Sequence, residues 1–425
     1  MVVKIVREEI RERIERIRRN EVPGGYKKTK LGVIPDNWSV CQMKECLERV
    51  ENPVKVLEEE EYTQIGIRSH GKGLFYKEPV TGKELGKKKV YWIEPDCFIV
   101  NIVFAWEQAV GKTTEKERGM IGSHRFPMYR PINKCLDLDY LCNYFFTQRG
   151  KNIMEFASPG GAGRNRTLGQ ERFMKSLICV PPISEQRNIS IVLNLIEKKL
   201  SLLEELIEVK IKQKEWFLLN FISGSKRLNG YSEKWKKACL KNLLKESKKQ
   251  AAPDINKRIT VRLNLRGVEK RIIKTVEKED ATTQYVRKAG QFIYGKQNLY
   301  KGAFGIVPDK LDGYQSSSDI PSFDVSPEVD VRWIYYYFSR SNFYESLEKI
   351  STGTGSKRVH PEEFLKIEIS VPCMDEQKAI IRLLEVADKE IDLLEQQLQN
   401  YKQEKQSIMQ LLLTGIVRVT ELDGI

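Results

Sequence analysis

The chain has 425 residues, 40% hydrophobic and 31% charged, with a net charge of +14. That length exceeds one ordinary core and predicts a globular protein of two or three domains. No run of eighteen apolar residues and no signal-like core in Met1 to Asn20 is present, so a cytoplasmic protein without a membrane segment is expected.

Residues 1–24 read as a basic helix ahead of the first domain, expected to pack near the end of a later long helix. Residues 25–183 form the first globular domain. Short β-rich runs at Tyr62–Ile67, Val90–Ile93 and Phe98–Val103 mix there with a helical stretch near 138–156, which predicts an α/β domain with a small sheet. Residues 184–228 follow as a long helix. Pro181 and Pro182 cannot lie inside it, Ser184 suits its N-cap, and Gly224 suits its far end. Its apolar residues alternate three and four apart (Ile189, Leu193, Ile196, Leu200, Leu203, Ile207) and lapse at Lys210 and Lys214.

Residues 229–374 form a second globular domain, with β-rich runs at Ile259–Leu265 and Phe292–Tyr294 and helix near 330–349. Residues 375–419 form a second long helix, with Asp375 as the expected N-cap and a seam that lapses at Lys405. A short tail, 420–425, closes the chain.

The two helical segments are copies of one another. Residues 180–228 align with 371–419 without a gap, with 13 identities in 49 that include Val180-Pro181 with Val371-Pro372, Glu185-Gln186 with Glu376-Gln377, Gly224 with Gly415 and Arg227 with Arg418. The preceding domains repeat more faintly: Trp38 matches Trp235, and TQIGIRSHGKG at 63–73 lies over ITVRLNLRGVE at 259–269. The expected architecture is therefore two α/β domains separated by two long helices that form an antiparallel coiled coil, a pseudo-two-fold internal repeat.

Charge follows the same division. Residues 184–228 carry 8 basic and 6 acidic groups and residues 375–419 carry 6 and 8, so the helices cancel; the excess is +5 in 1–30, +3 in 31–183 and +8 in 229–374. Basic domains on a neutral frame point to a polyanion held by the domains.

Signatures of catalysis are missing. Gly111-Lys112-Thr113 ends like a phosphate-binding loop, but Trp106 stands where its first glycine must be. The only double proline, Pro181-Pro182, lacks the polar and aromatic neighbours of an amino-methyltransferase motif. Eight cysteines without a CxxC pair, and three histidines, argue for reduced thiols rather than a metal site, and no cofactor is expected.

The helix openings VPPISEQ (180–186) and VPCMDEQ (371–377), the lead-in GYKKTKLGVIPDNW (25–38) and the two-unit layout resemble the specificity subunits of type I restriction-modification systems. Cys373 departs from the pattern of the first copy, which has Pro182. The resemblance implies a non-catalytic subunit whose two target-recognition domains each read half of an asymmetric, bipartite site in double-stranded DNA. It implies that the helical pair sets the spacer and docks two methyltransferase subunits, with restriction subunits joining them. A coiled-coil scaffold that holds nucleic acid non-specifically is the competing reading.

Groove contacts need Arg, Lys, His, Asn, Gln or Ser on an accessible surface. The first domain offers Arg68, Ser69, His70 and Lys72; Lys87, Lys88 and Lys89; His124 and Arg125; and Arg164, Asn165 and Arg166 after the glycine-rich stretch 160–163. The second offers Arg262, Asn264 and Arg266; Arg287 and Lys288; Lys296, Gln297 and Lys301; and Lys357 and Arg358 after the glycine-rich stretch 353–355.

Overall fold

The computed structural model describes residues 8–160, 166–273, 282–353 and 356–421. The chain divides into two compact units: residues 1–202 with 398–425 (unit 1), and residues 203–397 (unit 2). The helix Ile183–Phe217 and the helix Met374–Leu413 each give one part to each unit.

Unit 1 is built on a four-stranded antiparallel sheet in the order Val110–Lys112, Phe98–Val100, Met128–Pro131, Leu47–Val50. Helices Leu138–Phe146, Gln148–Ala157 and Gln170–Lys175 cover it, and Phe98, Phe145 and Phe173 form its aromatic centre. The expected helix near 138–156 breaks at Thr147. This residue ends one helix, and its hydroxyl accepts the Gly150 N–H as the N-cap of the next.

Unit 2 repeats this plan: Phe304–Ile306, Phe292–Tyr294, Ser322–Val325, Leu244–Glu246 in the same order. Phe292, Phe338 and Phe364 occupy its centre. In each unit a separate strand pair leads into a long helix. Leu177–Val180 pairs with Ser39–Gln42 in unit 1, and Glu368–Val371 pairs with Lys236–Cys239 in unit 2.

Each long helix begins two residues earlier than N-caps at Ser184 and Asp375 would place it, at Ile183 and Met374. Ser184 and Asp375 lie inside the first turn rather than capping it, and the residues before the helices are Pro182 and Cys373. The carbonyls of Pro182 and Cys373 accept the N–H groups of Gln186 and Gln377, at 3.0 Å each. The matched Glu-Gln pair explains why this motif recurs. Gln186 donates to the carbonyls of Pro181 (2.8 Å) and Cys135 (3.0 Å) and accepts from the Asp137 N–H (2.8 Å). Gln377 does the same with Pro372, Glu328 and Asp330 at 3.0, 3.2 and 2.9 Å. Both side chains are fully buried and satisfied.

The glutamate before each glutamine anchors a second element. Glu185 accepts Trp38 Nε1 at 3.1 Å and a bidentate contact from Arg418; Glu376 accepts Trp235 Nε1 at 2.9 Å and a bidentate contact from Arg227. The glycines at the helix ends complete these clasps. Gly224 and Gly415 have φ of 77° and 72°. A β-carbon on Gly224 would meet the Trp235 ring at 2.9 Å, and one on Gly415 would meet Pro35 at 2.5 Å and the Trp38 ring at 3.1 Å.

The lysines that interrupt the apolar seams are partnered. Lys405 meets Glu197 within unit 1, and Lys199 sits 3.9 Å from the Tyr401 ring centroid. Within unit 2, Lys210 reaches Glu390 at 2.7 Å and Lys214 reaches Asp388.

The N-terminal helix Glu8–Arg18 packs as the sequence suggests. Ile10 is buried, and Arg13 donates to the Ile416 carbonyl (3.0 Å) and to both Glu421 oxygens (2.8 Å each). No helix among the described residues is long and apolar enough to cross a membrane.

Candidate nucleic-acid interface

The first candidate group in each unit caps a β-hairpin. In unit 1 the arms are Ile65–Ile67 and Leu74–Tyr76; in unit 2 they are Ile259–Val261 and Val268–Lys270. Both tips close the same way: the Arg68 N–H bonds the Gly73 carbonyl (3.0 Å), and the Arg262 N–H bonds the Gly267 carbonyl (2.9 Å).

Each tip is then locked onto a second loop. The His70 and Gly71 N–H groups donate to the carbonyls of Glu107 (2.8 Å) and Gln108 (3.3 Å). The Asn264 and Leu265 N–H groups donate to the carbonyls of Lys301 and Gly302, both at 3.0 Å. His70, Asn264 and Leu265 hold φ of 60°, 56° and 59°, a left-handed conformation that non-glycine residues keep only when their surroundings enforce it. The equivalent pairs are therefore Arg68 with Arg262, His70 with Asn264 and Lys72 with Arg266. This corrects the sequence alignment by two residues. The backbone lock sets the register, and the diverged side chains do not reveal it.

Arg68, His70, Lys72, Arg262, Asn264 and Arg266 are exposed. Arg68 lies over the Phe75 ring (5.0 Å to the centroid), Ser69 donates to Glu107 at 2.8 Å, and Arg262 pairs with Glu269.

The second loop carries an aromatic residue, Trp106. Trp106 is only half-buried, and the Arg166 guanidinium lies 5.4 Å from its ring centroid. Tyr300 stands at the matching place, with the ammonium of Lys301 at 5.7 Å. The repeat CFIVNIVFAW (97–106) against QFIYGKQNLY (291–300) held the signal for this pair.

The remaining candidates lie as follows. Lys87, Lys88 and Lys89 are exposed ahead of strand Val90–Trp92, and the His124 N–H donates to the Lys89 carbonyl at 3.3 Å. His124 and Arg125 are exposed, and the Arg125 carbonyl accepts the Ile102 N–H at 3.0 Å, beside the Trp106 loop. Ile102 in turn accepts the Leu168 N–H at 2.8 Å, which brings in the segment of Arg166. Unit 1 thus gathers its described candidates around residues 101–108. Arg164 and Asn165 lie outside the described residues.

In unit 2 Lys288 and Lys301 are exposed and Lys296 is half-buried; exposed Gln297 donates to Ser356. Lys357 bonds Glu348 at 2.7 Å, which holds its ammonium above the usual lysine range, and Arg358 approaches Asp319 at 3.7 Å.

Arg287 is not an interface residue. It is 1% exposed. Its guanidinium donates to Ser316 Oγ (2.6 Å), Ser322 Oγ (3.0 Å) and the carbonyls of Ser247 and Ile320 (3.0 Å each). Desolvation lowers its pKa to about 10, so it remains cationic at neutral pH. Its strand pairs with Tyr314–Ser317 as Val90–Trp92 pairs with Ile121–Ser123, which puts Arg287 where unit 1 has the buried Ile93. A basic residue in a sequence reads as surface; here serines and carbonyls supply a polar cavity for it.

Comparison with known proteins agrees with this layout. Residues 232–403 match the type I restriction modification DNA specificity domain family. The chain is 23% identical over 428 residues to the type I restriction enzyme MjaVIII specificity subunit of Methanocaldococcus jannaschii, covering 92% of this chain and 95% of that one. Its fold resembles the HsdS subunit from Thermoanaerobacter tengcongensis, with a TM-score of 0.54 at 14% identity over 90% of this chain and 98% of that one. A chain from a structure concerned with complex assembly and conformational transition of the type I R-M system gives a TM-score of 0.60 at 13% identity, covering 90% and 99%.

Proposed function

We propose, because the chain belongs to the family of type I restriction-modification DNA specificity subunits, that unit 1 and unit 2 each read one half of an asymmetric site in double-stranded DNA. The observation that carries this is the matched hairpin tip. Two domains of different sequence hold exposed tips in one strained backbone conformation, locked at the same place. Retained cations (Arg68 with Arg262, Lys72 with Arg266) suit phosphate, which is common to every site. Residues that differ (His70 against Asn264, Glu107 against Lys301) suit base edges, which are not.

The long helices act as an antiparallel coiled coil. Their side-chain partners support this: 197 meets 405, 199 meets 401, 210 meets 390 and 214 meets 388, with numbers rising on one helix as they fall on the other. Two methyltransferase subunits dock on this frame, and restriction subunits join them. Exposed Ile191 and Leu195 in unit 1, and Leu206, Val209 and Trp216 in unit 2, offer apolar surface for such partners. Chemistry on DNA then belongs to the partners, and the complex works in the cytoplasm, where its DNA is.

The test is to co-express the chain with its cognate methyltransferase subunit and map methylated positions across a genome. Two short, dissimilar motifs with a fixed spacer are expected. Methylation without a motif would replace this reading with that of a non-specific scaffold.

A further inference from the structure

Unit 1 contains a pair of thiols that its repeat does not need. Cys41 lies in strand Ser39–Gln42 and Cys46 ends the short helix Met43–Cys46; their sulfurs are 2.9 Å apart. A disulfide bond is about 2.04 Å long, so closing this gap takes less than an ångström. Cys46 is buried and Cys41 half-buried, so Cys41 is the residue a small reagent meets first.

The second unit is an internal control for what the fold requires. Cys41 stands opposite Ile178 in its strand pair, and Ala238 stands opposite Ile369 at the same place in unit 2. The following helices start alike: the Met43 N–H bonds the Ser176 carbonyl (3.0 Å), and the Leu240 N–H bonds the Ile367 carbonyl (2.9 Å). Cys46 is therefore matched by Leu243. Ala and Leu build this junction without sulfur, so neither thiol is dictated by packing.

We infer that Cys41 and Cys46 form a reversible dithiol–disulfide site in unit 1, oxidised by hydrogen peroxide and reduced by a dithiol. Cys41, the more exposed residue of the pair, is the attacking thiol, and Cys46 resolves it. The Cys41 thiolate attacks the peroxide: an S–O bond forms, the O–O bond breaks, and hydroxide leaves. The Cys46 sulfur then attacks the sulfenic sulfur: the S–S bond forms, the S–O bond breaks, and the oxygen leaves as water with the thiol proton. Two thiols lose two electrons, and one peroxide becomes two waters.

The site closes across the joint between the strand that follows Trp38 and its next helix. Cys135 is the nearest competitor, since its thiol reaches the Cys46 carbonyl at 3.5 Å. The test uses the full chain, one equivalent of hydrogen peroxide, alkylation of the remaining thiols and a tryptic map without reductant. Lys44 separates the two cysteines, so the linked product is a two-peptide species that dithiothreitol splits. Loss of two of the eight thiols and a dominant 41–46 link are expected. Cys41→Ala and Cys46→Leu, which carry the residues unit 2 uses at these positions, should fold and lose the link. No 41–46 product, or a dominant link through Cys135, would overturn the assignment.

Discussion

Arg418 clasps Glu185 through two N–H···O bonds of 2.5 and 2.6 Å, and Arg227 clasps Glu376 in the same way at 2.6 and 2.7 Å. Each glutamate also holds a tryptophan N–H, so three segments distant in sequence meet at one carboxylate.

Removing that carboxylate should loosen one unit at a time. Glu376→Ala leaves Arg227 and the Trp235 N–H unpaired, and because Arg227 is partly exposed the cost should be about 2–3 kcal/mol rather than the larger figure for a fully buried pair. Urea unfolding followed by hydrogen exchange should place the loss in residues 203–397. Uniform protection in the variant would refute the clasp.

A second contact gives a pH dependence. Burial opposes the charge of Glu421, but hydrogen bonds from Arg13 and from the Arg418 N–H outweigh it and hold its carboxyl below the ordinary range. A depressed pKa stabilises above the unfolded value of about 4.3 and is lost as pH falls through the folded value. The helix Glu8–Arg18 should thus stay docked at neutral pH and loosen only as pH falls through the depressed range of the Glu421 carboxyl. Glu421→Gln should release it at pH 7, read as faster trypsin cleavage in residues 11–19.

Arg287 should behave as a core residue. Arg287→Ile, which installs the residue type of Ile93, strands two serine hydroxyls and several carbonyls and should cost about 3 kcal/mol or more. Arg287→Lys should recover only part of this, because an ammonium cannot reproduce the guanidinium fork. Equilibrium unfolding measures both, and a change confined to DNA affinity would contradict the placement.

The hairpin tips should divide their labour. His70→Asn with Glu107→Lys gives unit 1 the residues of unit 2 at these places and should change the bases of one half-site while spacer and other half stay fixed. A misread base pair costs about 1–3 kcal/mol, roughly 5- to 150-fold in preference. Arg166→Ala should instead weaken binding to all duplexes alike. Competition binding and methylation mapping separate these outcomes.

Much of the frame was legible in the sequence because its features are local. Proline, Glu-Gln, glycine and arginine recur at one offset, and heptad spacing marks the helices. The caps were misplaced by two residues because the sequence does not show that Gln186 and Gln377, rather than Ser184 and Asp375, hold the helix starts. In the domains, the strand runs around 65, 98, 259 and 292 were visible as β-branched and aromatic clusters. The site was read less well. Exposure of Arg68 or Asn264 follows from turn chemistry, but the burial of Arg287 depends on serines 29 and 35 residues away. The equivalence of the two tips depends on backbone bonds that leave no mark in side-chain identity.

The clasp on Glu185 also orders events during synthesis. Unit 2 is one continuous stretch, residues 203–397, whereas unit 1 needs Gly415, Arg418 and Glu421, which leave the ribosome after all of unit 2. The domain translated first is thus the one completed last. Until those residues arrive, Trp38 and Glu185 lack their closing partner, so unit 1 stays open after the last residue of unit 2 has been translated.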